Sequence, residues 1–76
     1  PGDTLLERMW QPTVLVHDRI ATLWAPYDFH EDGKFSHCGV DAVTLARTSA
    51  GWKIVSFVYT VEMTGCTPSP LGPPTP

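Results

Sequence analysis

The stretch IATLWAPYDFHEDGKFSHCGVDAVTLARTSAGWKIVSFVYTVE, from Ile20 to Glu62, decides the fold. Its alternating apolar and polar residues favour long antiparallel strands, which two turns divide into three. Asp32-Gly33 is a strong two-residue hairpin signal, because both central residues of a type I′ turn need positive φ. The second turn, Thr48 to Gly51, is longer and places a glycine where a left-handed conformation is needed. The stretch therefore predicts three strands of an antiparallel meander.

The flanking segments complete the predicted domain. The β-branched run from Thr13 to Val16 predicts one more strand, so residues 13–64 form a mainly β, curved, four-stranded antiparallel sheet. Residues 1–12 form a lead-in that is either a short helix, since Thr4 and Glu7 have capping-box spacing, or an edge strand ended by Pro12. Residues 65–76 are rich in proline and predict a polyproline-like or disordered tail.

Composition excludes several classes of function. The 76 residues carry a net charge of -3 without a stripe of lysine or arginine, so we expect no nucleic-acid partner. No apolar run approaches the roughly 18 residues of a membrane span, so we expect no membrane insertion. Cys38 and Cys66 lie in unlike settings and do not suggest a disulfide, which predicts a reduced, buried Cys38 and a cytoplasmic protein.

Apolar residues lie on both faces of the predicted sheet, and a single sheet cannot cover both. The chain begins at Pro1 and contains no helical segment of any length. We therefore expect either a fragment of a larger protein or a chain that a partner completes. Pairing with further copies, as a dimer or a higher homo-oligomer, would protect the apolar faces.

Register predicts which side chains meet. If Asp32-Gly33 is a two-residue turn, Glu31 faces Lys34, Asp28 lies opposite His37, and Trp24 lies opposite Asp41. The second turn then adds the last strand to the same face. The polar and apolar residues predicted to share that face include Trp24, Asp28, His37, Asp41, Val43, Trp52 and Ser56.

A face that mixes carboxylates with large apolar side chains is typical of a ligand cavity. Asp28 would hold His37 in one tautomer, so that His37 acts as a general acid or base. Apolar walls would raise the pKa of Asp41 and suit it to the same chemistry. Trp24, Val43, Trp52 and Ser56 would line the cavity around a small hydrophobic ligand. The alternative interpretation is a solvated cross-strand pair and tryptophans that serve only as core.

Other chemistries lack their sequence signatures. The spacing of His17, His30 and His37 fits no zinc pattern, so we expect no metal. The chain has no glycine-rich phosphate loop, nucleophile elbow or Cys-x-x-Cys motif, and we expect no cofactor.

Four segments resemble the nuclear transport factor 2-like superfamily, in its SnoaL-like and ketosteroid isomerase-like branch. They are Ile20-Ala21, WAPYDF at 24–29, SHCG at 36–39 and GWKI at 51–54. The resemblance spans residues 5–64 and corresponds to the C-terminal half of such a domain. It implies an α+β cone whose sheet encloses a pocket, with helices N-terminal to this stretch and dimers formed through the sheet. It also places Asp41 on a strand where related enzymes carry a cavity carboxylate.

Two functions follow from these patterns. The first is a pocket protein for a small hydrophobic or aromatic ligand, including an acid/base isomerase, cyclase or dehydratase. The second is a non-catalytic, oligomeric binding or assembly module. A ligand cavity on the polar face would favour the first, whereas a solvated or partner-covered polar face would favour the second.

Overall fold

The computed structural model describes residues 4–74 and contains one antiparallel sheet of five strands. The strands are β1 (Leu5–Met9), β2 (Thr13–His17), β3 (Ile20–Glu31), β4 (Lys34–Thr48) and β5 (Gly51–Tyr59). The prediction of a mainly β, antiparallel chain is confirmed. The number of strands is five and not four, because the N-terminal segment also forms a strand. Within residues 4–74 no helix is long and apolar enough to cross a membrane.

One edge of the sheet is divided between β1 and β2. Both pair with β3, β2 with its first half and β1 with its second half, and Gln11 with φ 45° lies between them. Pro26 of β3 faces this break, where its carbonyl accepts a hydrogen bond from the Trp10 amide at 3.3 Å. Because the N–H and C=O of a strand residue point to the same neighbour, the N–H that Pro26 lacks would also face the break. A proline is therefore tolerated inside a central strand.

Two bulges change the predicted register. Glu31 pairs with Lys34 and Arg47 pairs with Trp52, as the turns predict. In β4, however, Ser36 is an extra residue, since His30 pairs with Phe35 while Phe29 pairs with His37. Beyond Ser36 every pair differs by one residue from the predicted pair. The side chains of β4 therefore lie on the opposite face of the sheet from the predicted one.

The second bulge is at Val55 of β5, because Leu45 pairs with Ile54 while Thr44 pairs with Ser56. The bulge at Ser36, which lies between β3 and β4, makes the predicted pairs Asp28 with His37 and Trp24 with Asp41 wrong. Asp28 pairs with Cys38, and Asp41 pairs with Ala25.

The core lies on the side of the sheet that carries Tyr27 and Asp41, here termed the Tyr27 face. Its buried side chains are Ala21, Ala25, Tyr27, Asp41 and Val43. Tyr27 crosses Gly39, its partner on β4, and donates a hydrogen bond from its hydroxyl to the Thr60 carbonyl at 2.6 Å. A Cβ at position 39 would overlap that same carbonyl oxygen. Gly39 therefore lets the chain after β5 lie close against β4.

The opposite side is termed the Asp28 face, and the C-terminal segment folds onto it. After β5 the chain continues beside β4, where Glu62 and Cys38 exchange backbone hydrogen bonds. Cys66 then forms a disulfide with Cys38. The prediction of a reduced Cys38 is wrong, because the bulges and the return of the chain bring together two cysteines that are 28 positions apart. Residues 66–74 form an irregular segment, here termed the strap.

Replacing both cysteines with serine (Cys38→Ser and Cys66→Ser) is expected to lower the free energy of unfolding by about 3 kcal/mol. The reason is that the disulfide restricts the unfolded chain by closing a loop that spans 28 positions. Urea denaturation measures the difference. Dithiothreitol should bring the parent to the stability of the double variant and leave that variant unchanged. Equal urea midpoints for the oxidised parent and the double variant would contradict a stabilising tether.

Candidate functional site

Two carboxylates from distant parts of the chain meet on the Tyr27 face. Asp41 is on central strand β4, opposite Ala25 of β3 and Tyr59 of β5. Glu7 is on edge strand β1 opposite Phe29, and the alternation of side chains along each strand brings it to the same face. Asp41 is only 1% exposed, and its Oδ2 has no hydrogen-bond partner among residues 4–74. A buried carboxylate oxygen without a partner is uncommon and marks the site.

The two carboxyl groups share one electrostatic environment. The pKa of Glu7 is raised from its ordinary 4.5 to about 7, first by removal from water, then by a hydrogen bond with Asp41 and by the charge of Asp41. The side chain of Glu7 as a whole is exposed, so Asp41 is the member that the fold fixes in place. A carboxyl group that titrates near neutral pH can both donate and accept a proton under physiological conditions.

Aromatic side chains surround the carboxylates. The Glu7 and Asp41 side chains line a cavity of about 290 Å³, and its walls are Tyr27, Phe29, His37, Phe57 and Tyr59. The His37 ring stacks on Phe29 with 5.0 Å between the ring centroids, and it meets Tyr27 edge-on at 5.8 Å. Such walls suit a flat, largely apolar ligand.

Tyr27 contributes to the wall and not to proton transfer. Burial, followed by the charges of Asp41 and Glu7, raises the pKa of its hydroxyl above the ordinary value. The hydroxyl also donates its hydrogen bond to the Thr60 carbonyl at 2.6 Å. It therefore remains protonated and engaged within the fold.

A second cluster of charges lies on the Asp28 face. Asp28 accepts hydrogen bonds from Nε of Arg8 at 3.0 Å and from Nη2 of Arg8 at 2.7 Å. The Arg8 guanidinium holds the pKa of Asp28 below its ordinary value, and burial opposes this effect. A two-pronged arginine pair of this kind fixes the carboxylate as an anion. Asp28 is therefore suited to hold a cation in place and not to accept a proton at neutral pH.

The sheet separates the side chains that the sequence predicts to share one face. His37, Asp41 and Val43 lie on the Tyr27 face, and His37 and Asp41 line the cavity described above. Asp28, Trp24 and Ser56 lie on the Asp28 face, where Trp24 is 56% exposed. Trp52 lies opposite Arg47 at the far end of the sheet. Asp28 therefore does not orient His37, whose Nδ1 instead lies 3.0 Å from the Ser36 hydroxyl.

The sequence interpretation missed Glu7, Arg8 and the aromatic residues Tyr27 and Tyr59. Glu7 and Arg8 belong to the lead-in, whose pairing with β3 is not set by any short turn. Their neighbours in the sequence LLERM place them on opposite faces of a strand, which is the one local signal that could have found them.

Metal binding has no support in the described part of the chain. Among residues 4–74 no group of three or more histidine, cysteine, aspartate or glutamate side chains could hold an ion.

Comparisons with protein-family models, curated proteins and solved structures find no match to this chain. The resemblance to the nuclear transport factor 2-like superfamily stays a prediction.

The stability of the fold is expected to decrease as pH rises between about 4.5 and 7, because the raised pKa of Glu7 means that the folded chain holds this proton more tightly than the unfolded chain. The contribution of Glu7 to stability is fully present below that window and is lost as pH rises through it. Urea midpoints at pH 5 and pH 8 measure the change, and Glu7→Gln should reduce it.

Glu31→Gln, which alters an exposed glutamate at the Asp32-Gly33 turn, is the matched control and should keep the pH dependence of the parent. An identical pH dependence in Glu7→Gln and in the parent would show that Glu7 does not carry the effect.

Asp41→Asn is expected to raise the free energy of unfolding at pH 7 by about 1 kcal/mol, since an amide removes a buried acceptor without a partner and can donate to Glu7. Functional groups commonly reduce stability, whereas structural ones increase it. Asp18→Asn is the control, because Asp18 has φ 51° and asparagine tolerates that conformation. A loss of stability in Asp41→Asn would identify Asp41 as a structural residue.

Proposed function

We propose that this chain provides a small-molecule pocket in which Asp41 and Glu7 transfer a proton to and from a hydrophobic, aromatic ligand. The observation that carries the proposal is the buried Asp41 oxygen, which has no hydrogen-bond partner among residues 4–74 and lies next to a second carboxyl group in an aromatic cavity. The family resemblance of the sequence supports the same class of function. Two features of the site define the reaction more closely, and a third feature, of the fold, bears on the compartment.

The first feature is the division of roles between the two carboxyl groups. Asp41 as a carboxylate accepts a proton from a carbon next to a ligand carbonyl. Glu7, whose pKa of about 7 keeps a share of it protonated at neutral pH, donates a hydrogen bond to the carbonyl oxygen. The C–H bond breaks, its electron pair forms the C=C bond of an enolate, and the π pair of the carbonyl moves to the oxygen that Glu7 hydrogen-bonds. Asp41 holds the proton. Return of that proton to another carbon completes an isomerisation.

The second feature is the size of the site. A cavity of about 290 Å³ accommodates a ligand of two or three fused rings and not a large cofactor. The aromatic walls contact the faces and edges of such rings. A flat, apolar ketone is therefore the substrate class that fits best.

The third feature concerns the compartment. Stable disulfides are typical of oxidising compartments and rare in the cytosol. The Cys38–Cys66 disulfide therefore favours a protein that works outside the cytoplasm, which differs from the localisation expected from the sequence.

The second candidate function is a non-catalytic assembly module formed from several copies of the chain. It is favoured by β5, which is exposed along its whole length and pairs on one side only. Its large exposed side chains are Trp52, Ile54, Val55, Phe57, Val58 and Tyr59. Unpaired apolar edges of this kind form contacts with further strands. Phe57 and Tyr59 belong both to this exposed set and to the wall of the cavity, so assembly through β5 would cover one side of the pocket.

Proton exchange on 2-tetralone, an aromatic ketone with acidic C–H bonds next to its carbonyl, tests the proposal. In D2O at pH 7 the parent chain is expected to accelerate deuterium incorporation, measured by NMR. Asp41→Asn should reduce the acceleration at least tenfold, since it removes the base, and Glu7→Gln should reduce it less. Asp18→Asn, a matched change outside the cavity, should retain the parent rate. No acceleration by the parent, or full activity in Asp41→Asn, would overturn the proposal.

A further inference from the structure

A second and larger cavity lies on the Asp28 face, between the sheet and the strap. Its volume is about 470 Å³, and its lining includes Arg8, Asp28, His30, Phe35, Pro68 and Pro73. The sheet provides its charged floor, and the prolines of the strap provide an apolar roof. The Cys38–Cys66 disulfide, which also lines the cavity, holds one end of that roof in place. The carboxylate pair of the Tyr27 face is not part of its lining.

The floor of this cavity contains the Arg8 guanidinium, which has N–H donors that Asp28 does not use. Arg8 uses Nε and Nη2 to bind Asp28, while its Nη1 has no hydrogen-bond partner among residues 4–74. The pair with Asp28 fixes the orientation of the guanidinium, because two parallel hydrogen bonds hold the planar group. The remaining N–H groups are thereby pre-oriented for a further acceptor.

His30 provides a second buried polar group with a free ring nitrogen. Its side chain is only 6% exposed, and its Nε2 lies 3.3 Å from Oδ1 of Asp28, where it helps to lower the pKa of that carboxylate. Its Nδ1 has no hydrogen-bond partner within residues 4–74. The ring meets Phe35 edge-on, with 5.9 Å between the ring centroids. A buried imidazole nitrogen normally has a partner, and the lack of one at Nδ1 among residues 4–74 indicates a group that enters the cavity.

We propose that this cavity binds a small aromatic monocarboxylic acid. The carboxylate accepts hydrogen bonds from Arg8 and from His30, and the ring lies between Phe35 and the prolines of the strap. A single negative charge fits better than a phosphate, because the Asp28 carboxylate on the same floor repels a doubly charged group. The volume of the cavity lies within the range of small-molecule sites. This site is independent of the proton-transfer site on the Tyr27 face.

Titration with 1-naphthoate, followed by calorimetry and by two-dimensional NMR of the oxidised chain, tests the proposal. The neutral amide of the same ring system, 1-naphthamide, is the matched ligand. We expect 1-naphthoate to bind at least tenfold more tightly than 1-naphthamide. The amide signals of His30, Phe35 and Thr67 should shift, and those of Asp41 and Tyr59 should not.

Two double variants and one control identify the groups that bind the ligand. The pair Arg8→Gln with Asp28→Asn removes both charges without leaving a carboxylate unpaired, and it should reduce the affinity for 1-naphthoate at least tenfold while leaving that for 1-naphthamide unchanged. The pair Cys38→Ser with Cys66→Ser should weaken both ligands, because it releases the roof. Glu7→Gln, on the other face, should change neither.

Equal affinities for the two ligands, or NMR shifts confined to the Tyr27 face, would overturn the proposal. The NMR mapping on the parent chain remains decisive even if a variant does not fold. Failure of 1-naphthoate to bind would remove this site and leave the proton-transfer proposal untouched, since the 2-tetralone assay reports on Asp41.

Discussion

The extra residue at Ser36 decides the chemistry of both faces of the sheet. Successive side chains of a strand point to opposite faces, so one added residue transfers every later side chain of β4 to the other side of β3. Asp41 thereby joins Ala25 and Tyr27 in the interior, and Cys38 joins Asp28 on the face that receives the strap. The buried carboxylate and the disulfide both depend on this single bulge.

The disulfide and the hydroxyl of Tyr27 act on the same segment from two sides. On the Tyr27 face the hydroxyl binds the Thr60 carbonyl, and on the Asp28 face Cys38 binds Cys66. The chain after β5 is therefore held against β4 in a molecule with few buried apolar side chains. Small folds with little buried area commonly rely on such covalent links. The cavity on the Asp28 face exists because the strap is held over the sheet.

Much of the fold could be predicted from local sequence, and much of the site could not. The turns at Asp32-Gly33 and before Gly51 fix where β3, β4 and β5 begin and end, because Asp32, Gly33 and Gly51 have the positive φ that such hairpin turns need. Bulges at Ser36 and Val55 depend on packing between strands and carry no clear local signal, so the predicted faces were mixed. The sequence identifies Asp41 as a candidate acid or base but places it opposite Trp24, whereas its partner on β3 is Ala25. Glu7, Arg8 and Cys66 are distant in sequence from the groups they meet.

The two faces of the sheet carry charged clusters of opposite character, the Glu7 and Asp41 pair on one side and the Arg8 and Asp28 pair on the other. On the Tyr27 face burial and the neighbouring Asp41 carboxyl group raise the pKa of Glu7, which favours retention of its proton. On the Asp28 face Arg8 keeps a carboxylate ionised and retains donors for another anion. Glu7 and Arg8 are adjacent residues of β1, so that one short edge strand supplies a proton-holding acid to one face and a fixed cation to the other. A shift of β1 along β3 by one residue would exchange these groups between the faces, and the observed pairing with β3 is therefore the condition under which both sites exist.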